Sequence, residues 1–330
     1  MNDDTHTFHR RTVLRGAAAG SALPLLPAAA AAAHARPAAS SPAPEPGSAA
    51  LRWLGTAGWR IDAGGRTVLF DPYLTRFKTG LFDKPFNPAT PIAETDATLV
   101  RDFAGRPELI LVSHSHWDHI ADVPYLAKTT GARVLGTETT YHLLVALGVD
   151  PGQISVVKGG EVLDFGRGLV VEVVASLHSR NKQHSYFAPG TLTGPPATVP
   201  ATISDLPEGD TLAFQVTAGS GGPTLFLMGA SDFDHRSAEG LRPDVAMVAV
   251  PSSTSTHRYV PRLMRALGRP EVVVPVHWDN FETPLRDPVR ADPTMDLAGL
   301  IGQVRRESPG TRVVVPDYRT VYGADLRPRR

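Results

Sequence analysis

His114, His116, Asp118 and His119 fall within six residues of one another, directly after the apolar run 109–112. Three imidazoles beside one carboxylate are donors for a borderline metal such as zinc, with iron and manganese as further candidates. Spacing divides the four into two pairs. Alternate residues of an extended segment point the same way, so His114 and His116 are expected to grip one ion together. Asp118 and His119 fall where the chain turns toward a helix, face another direction, and are expected to grip a second ion nearby. A polar surface loop is the alternative, and it does not account for so dense a donor set at a strand-to-helix turn.

The flanking chain supplies elements able to position such a centre. Short apolar or alternating runs at 51–54, 58–62 and 67–70 are separated by Gly-rich turns and predict a hairpin-connected sheet. Strands are predicted at 108–112, 133–136, 154–157, 161–163 and 169–175. A helix is expected to begin near His119 and another to cover 139–147. Residues 180–210, rich in Pro, Gly, Ser and Thr, predict a long loop of the kind that forms lids or binding segments. Strand character returns at 211–216, 224–228, 245–250, 272–276 and 311–315. Helices are expected at 258–267, with Thr256 as its cap, and at 296–306. Hairpins come first, mixed strands and helices follow, and the order repeats. The fold class is therefore α/β (α+β), two packed sheets covered outside by helices.

Composition narrows the chemistry. Lys plus Arg and Asp plus Glu number 33 each, so no global field draws the chain to nucleic acid or an anionic membrane. There is no cysteine, which removes disulfides, thiolate ligands and a cysteine nucleophile together. Arg10-Arg11-Thr12-Val13-Leu14-Arg15, the apolar stretch 16–33 and Ala33-His34-Ala35 stand in the order of a signal peptide, residues 1–35, of the twin-arginine type. Pro24 and Pro27 interrupt the apolar stretch, so no stable membrane span is expected. Residues 36–49 predict a Pro/Ala-rich linker, and 50–330 the folded domain. The expected partner is the twin-arginine export machinery, and the expected location periplasmic or extracellular.

His114, His116, Asp118 and His119 match His-x-His-x-Asp-His, and over residues 51–321 the chain resembles the metallo-β-lactamase superfamily. Trp53-Leu54-Gly55, Leu69-Phe70-Asp71-Pro72-Tyr73 and Val274-Pro275-Val276-His277-Trp278 are similar to the branch of the ascorbate-6-phosphate lactonase and the N-acyl-phosphatidylethanolamine phospholipase D. The resemblance implies a four-layer αββα sandwich with two metal ions between the sheet edges. It implies His178 as third ligand of the first ion, His277 as third ligand of the second, and Asp232 as a bridging carboxylate. Many relatives carry that aspartate immediately after the glycine. Here Ala230 and Ser231 intervene, which leaves Asp234 as a competitor. Relatives also commonly carry histidine after Trp-Leu-Gly, where this chain has Thr56. Asp71 is either an acceptor orienting a ligand imidazole or a turn residue.

Two divalent ions with Asp118, Asp232 and a hydroxide would leave one net positive charge, enough to activate water and hold an oxyanion. Asp118 is the expected catalytic carboxylate. His257 is favoured over His235 and His184 to protonate the leaving group, because it follows the strand at 245–250. The expected reaction is hydrolysis of an ester, lactone or phosphodiester in a small-molecule substrate, an anionic one among the candidates. A di-iron or mono-iron oxidoreductase of the same fold and a β-lactamase-like amide hydrolase are the alternatives. Phe77, Leu81, Phe82, Phe86, Tyr186 and Phe187 are expected to pack loops onto the core rather than line a pocket.

Overall fold

The computed structural model describes residues 49–83 and 85–329. The expected signal peptide, residues 1–35, and the expected linker up to residue 48 lie outside the described residues. Ala49 is buried and already belongs to β1, one residue before the expected domain start.

Two sheets face each other. The first has the order β1 (Ala49–Gly55), β2 (Gly58–Ala63), β3 (Arg66–Phe70), β4 (Leu109–Leu111), β5 (Arg133–Gly136), β6 (Ile154–Val156). Its first three strands are antiparallel and the rest parallel. The second sheet repeats that plan. β7 (Val162–Asp164), β8 (Leu169–Leu177), β9 (Leu212–Ala218) and β10 (Thr224–Met228) run antiparallel, with the two-residue β11 (Asp232–Phe233) on the outer edge of β8. β12 (Val245–Ala249), β13 (Val272–Val276) and β14 (Arg312–Val313) then continue in parallel from β10.

Strand alternation sorts the core into layers. In β3, β4 and β5, Val68, Phe70, Leu109, Leu111 and Leu135 join a cluster with Val171, Phe214, Val216 and Phe226 of the second sheet. Leu69, Ile110 and Val134 turn the other way, against α1 (Ala97–Ala104), α3 (Val123–Thr130) and α4 (Glu138–Ala146). Phe70 meets Phe214 edge-on between the sheets at 6.1 Å. Strands buried on both faces read as continuous apolar runs, which is why β4 and β5 were legible. Beyond the second sheet lie α5 (His235–Ala238), α6 (Tyr259–Ala266) and α7 (Leu297–Glu307), whose Val260, Leu263, Leu300 and Val304 are buried. The result is the expected four-layer αββα sandwich.

Three local expectations are corrected. The helix expected from near His119 is two: α2 (Trp117–Ile120) and α3, separated at Asp122. The Asp122 carboxylate is committed to the backbone N–H groups of Leu74 and Thr75, and Pro124 starts the next turn. Helix α1 was not expected, although Asp96 caps it by accepting from the Thr98 and Leu99 N–H groups. Thr256 does not cap α6. Arg258, in a left-handed conformation, precedes that helix, and the Thr256 hydroxyl donates to the Ser231 carbonyl.

Candidate metal centre

The run 113–119 leaves β4 at the end of the first sheet and is buried throughout. His178 follows β8, and His277 follows β13, both of the second sheet. These ends meet and assemble two triads, His114 with His116 and His178, and Asp118 with His119 and His277. Within each triad the candidate ligand atoms lie within 4.8 Å of one another. The pairing inferred from spacing therefore holds in space.

Asp71 organises both triads from behind. It ends the β3 run at φ +40, an uncommon conformation for a residue other than glycine. Its Oδ1 accepts the Ser113 N–H at 2.7 Å, and its Oδ2 accepts the Ser113 hydroxyl at 2.5 Å and His119 Nδ1–H at 2.8 Å. The single Ser113 hydroxyl proton is thus spent on the carboxylate, so its oxygen accepts from His114 Nδ1–H at 3.0 Å. Both imidazoles are fixed with a bare Nε2 toward the centre. This settles Asp71 as an orienting acceptor, and it gives Ser113 a role the sequence alone did not reveal. His178 donates from Nδ1 to its neighbour's carbonyl, Ser179 O, at 2.8 Å, which likewise frees Nε2. His116 Nε2 lies 3.4 Å from the Ala188 carbonyl, leaving Nδ1 as its ligand atom.

A divalent ion fits this donor set. His114 Nε2 is buried without a hydrogen-bond partner, a costly state that a cation relieves. Burial, reinforced by neighbouring imidazoles, holds His114 well below the usual histidine range. Burial also depresses His116 to about 4, and His178 to about 3. These three are neutral near pH 7, as ligands must be. Burial alone would raise the Asp118 carboxyl, but His119 and His277 outweigh it and pull it below the usual carboxylate range. Its Oδ2 lies 3.1 Å from His277 Nε2 and 3.6 Å from His119 Nε2. Burial opposes charge on His119, yet Asp118 and Asp71 prevail and raise it.

His277 is held by its backbone at φ +61, its N–H donating to the Thr56 carbonyl at 2.7 Å. Thr56, at φ +50, in turn donates its N–H to Asp279, which forms a buried ion pair with Arg76 at 2.8 Å. Thr56 thus stands behind His277, and its hydroxyl is buried without a partner. Left-handed conformations at Asp71, Thr56 and His277 cost roughly 1–3 kcal/mol each, and such strain concentrates at functional sites.

Both triads open into one cleft of about 290 Å³. Trp117, Phe86, Phe187 and Phe281 form an apolar wall, with Leu81 at its edge. Leu81, Phe86, Tyr186 and Phe187 therefore line the cleft, contrary to the expectation that they only pack loops, whereas Phe77 and Phe82 do pack against the core. Tyr186 stacks on His178 with ring centres 4.5 Å apart and donates its hydroxyl to Glu208 Oε2 at 2.6 Å.

Asp232 is not brought into either triad. Gly229 ends the strand at the cleft, and Asp232 is carried on into β11, paired with Leu177, where its carboxylate accepts the Phe233 N–H. It lines a neighbouring cleft, on the side of Arg180 and Glu208. Asp234 caps α5 by accepting from the Arg236 N–H and the Ser237 hydroxyl. His257 is exposed in the turn before α6 and does not line the cleft, because Pro251 and Ser252 occupy that side. His184 is exposed, and His235 lies on α5; neither lines the cleft.

Residues 50–277 match the beta-lactamase superfamily domain. A UPF0173 metal-dependent hydrolase of Cupriavidus taiwanensis is 30% identical over 246 residues, covering 72% of this chain and 77% of that protein. One from Pyrobaculum arsenaticum is 27% identical over 238 residues, covering 72% and 88%. Among solved structures, Igni18, a metallo hydrolase from Ignicoccus hospitalis, superposes with a TM-score of 0.55 at 20% identity, covering 84% of this chain and 98% of its own. The two triads thus lie in a chain that belongs to the metallo-β-lactamase superfamily and, within it, to the UPF0173 metal-dependent hydrolases.

Proposed function

We propose that this metal-dependent hydrolase is exported and cleaves a carboxylic ester, a lactone or a phosphodiester at two divalent ions, zinc by the character of the donors. The observation that carries the reading is the convergence of both triads on one cleft. Bound divalent ions supply Lewis acidity and make water a nucleophile near neutral pH. The chain's own residues do the rest. Asp118, a carboxylate lining the cleft, orients the attacking water. Asp71 and Ser113 keep His114 and His119 in the tautomers a metal requires. Phe86, Trp117 and Phe187 exclude water on one side and favour an apolar group there.

The likeness to the lactonase and phospholipase D branch supports these bond types. So does the lining: apart from Asp118 and the triad imidazoles, no described lining residue is a carboxylic acid, histidine or lysine placed to protonate a leaving group. An amide, whose amine departs only when protonated, is the substrate this lining serves least. Export rests on Arg10, Arg11 and the stretch that follows them.

A screen of lactones, aryl esters and phosphodiesters, run beside metal analysis on wild type and Asp118→Ala, tests the reading. Hydrolysis with zinc in the wild type and a loss of at least about a hundredfold in the variant is expected. Equal activity in both, or iron as the retained metal with no hydrolysis, overturns it.

A further inference from the structure

The position at which a shared carboxylate is expected holds none. Gly229 closes β10 so near the centre that a Cβ on it would meet Ser113 Oγ at 2.2 Å and Asp71 Oδ2 at 2.8 Å. Ala230 follows, buried, and then Ser231, whose hydroxyl is committed to the Pro251 carbonyl. Those ties, and the pairing of Asp232 with Leu177, turn the next carboxylate out of the cleft. Asp232 lines the neighbouring cleft with Arg180 instead. Among the described residues lining the cleft, Asp118 is the only carboxylate, and there is no lysine or arginine.

Charge therefore accumulates at the ligand face. Two divalent ions would bring four positive charges against the single negative charge of Asp118. A bridging aspartate would lower that balance by one. Asp71 reaches the ions only through His119 and Ser113. After one ion is bound, Asp118 is the only side chain at the described ligand face that offsets the repulsion the second meets.

We infer that the second ion enters this centre together with an anion from solution, which supplies the charge that Asp232 does not. Loading then proceeds in two steps of unequal affinity. By linkage, an oxyanion and the second ion raise each other's affinity, so a carboxylate- or phosphonate-bearing molecule completes the site it occupies. The inference rests on the two-ion reading above and goes beyond it in making occupancy depend on the ligand.

The test is calorimetric zinc titration of the metal-free, full-length protein with perchlorate as the only anion. It is repeated with millimolar acetate and with methylphosphonate, each corrected for zinc complexation in buffer. Two steps are expected, with the second tightened about tenfold or more by either anion and the first unmoved. Asp232→Asn should titrate as wild type, and Asp118→Asn should keep a single step. One two-ion step indifferent to both anions overturns the inference, as does an Asp232→Asn protein that loses an ion. Either result leaves the hydrolytic reading standing. No zinc uptake at all removes that reading and the inference with it.

Discussion

Asp71→Asn removes one charge from the residue that orients both triads, at nearly constant volume. All three of its bonds need an acceptor: Ser113 N–H on Oδ1, and the Ser113 hydroxyl and His119 Nδ1–H on Oδ2. An amide has one oxygen, so either orientation sets an NH2 group against at least one donor. Hydrogen bonds to a charged group contribute roughly 1.5–3 kcal/mol each, and a buried donor left unpaired costs about 1–3 kcal/mol. With the carboxylate at 0% exposure, the metal-free protein should lose about 3–5 kcal/mol. Zinc affinity should fall about 10–100-fold, since both His119 and, through Ser113, His114 lose their fixed tautomer. Denaturant melts of the metal-free protein read the first effect, and competitive zinc titration with a chromophoric chelator reads the second. A variant with zinc affinity within about twofold of wild type would show that Asp71 does not orient the ligands. A stability loss without an affinity loss would reduce it to a packing role.

Acid should destabilise the metal-free protein already in the range where free histidines titrate. In the unfolded chain the histidines take up protons near pH 6.5, whereas folded His116 waits until about 4 and His178 until about 3. Between these values the unfolded state binds more protons, so stability falls as pH drops from about 6.5 to about 4, by roughly 1.4 kcal/mol per unit for each such group. His114, held low as well, acts in the same sense, whereas His119, raised in the folded state, acts in the opposite sense only above about 6.5 and leaves the slope in this window unchanged. Melts at several pH values, with and without excess zinc, check this; a flat metal-free profile across that window would contradict it. Export is checked by fractionating cells that express the full chain. Replacing Arg10 and Arg11 with lysine should retain the protein in the cytoplasm, and an unchanged distribution would rule out the twin-arginine route.

The strands were legible because they are apolar runs bounded by turns, and the two-sided burial of β4 and β5 leaves little ambiguity. Helix α1 has a local signal of its own: Asp96 precedes Leu99, Val100, Phe103 and Ala104, spaced for one helical face. Four of the candidate ligands follow apolar strands, His114 and His116 after β4, His178 after β8 and His277 after β13, while Asp118 and His119 stand side by side on α2; the motif and the family resemblance together placed them. Asp232 stands past a strand end as well. What separates it is the path of 229–232, set by a hydroxyl bonded to Pro251 and by a two-residue strand, and neither leaves a periodic trace. His257 was ranked by strand direction alone, and the turn after β12 presents Ser252 in its place. The Asp71–Ser113–His114 relay joins residues on different strands and is invisible to any local pattern.

Each triad draws two donors from the first sheet and one from the second. Among the described residues, neither half of the sandwich alone supplies a complete triad. A captured ion is thus a reversible cross-link that closes a long loop of chain, and it forms only once the sheets have docked face to face. Metal retention becomes a gauge of completed assembly. A slight shear between the sheets would detach His178 and His277 together, so that loosening of the interface and release of the ions would be a single event.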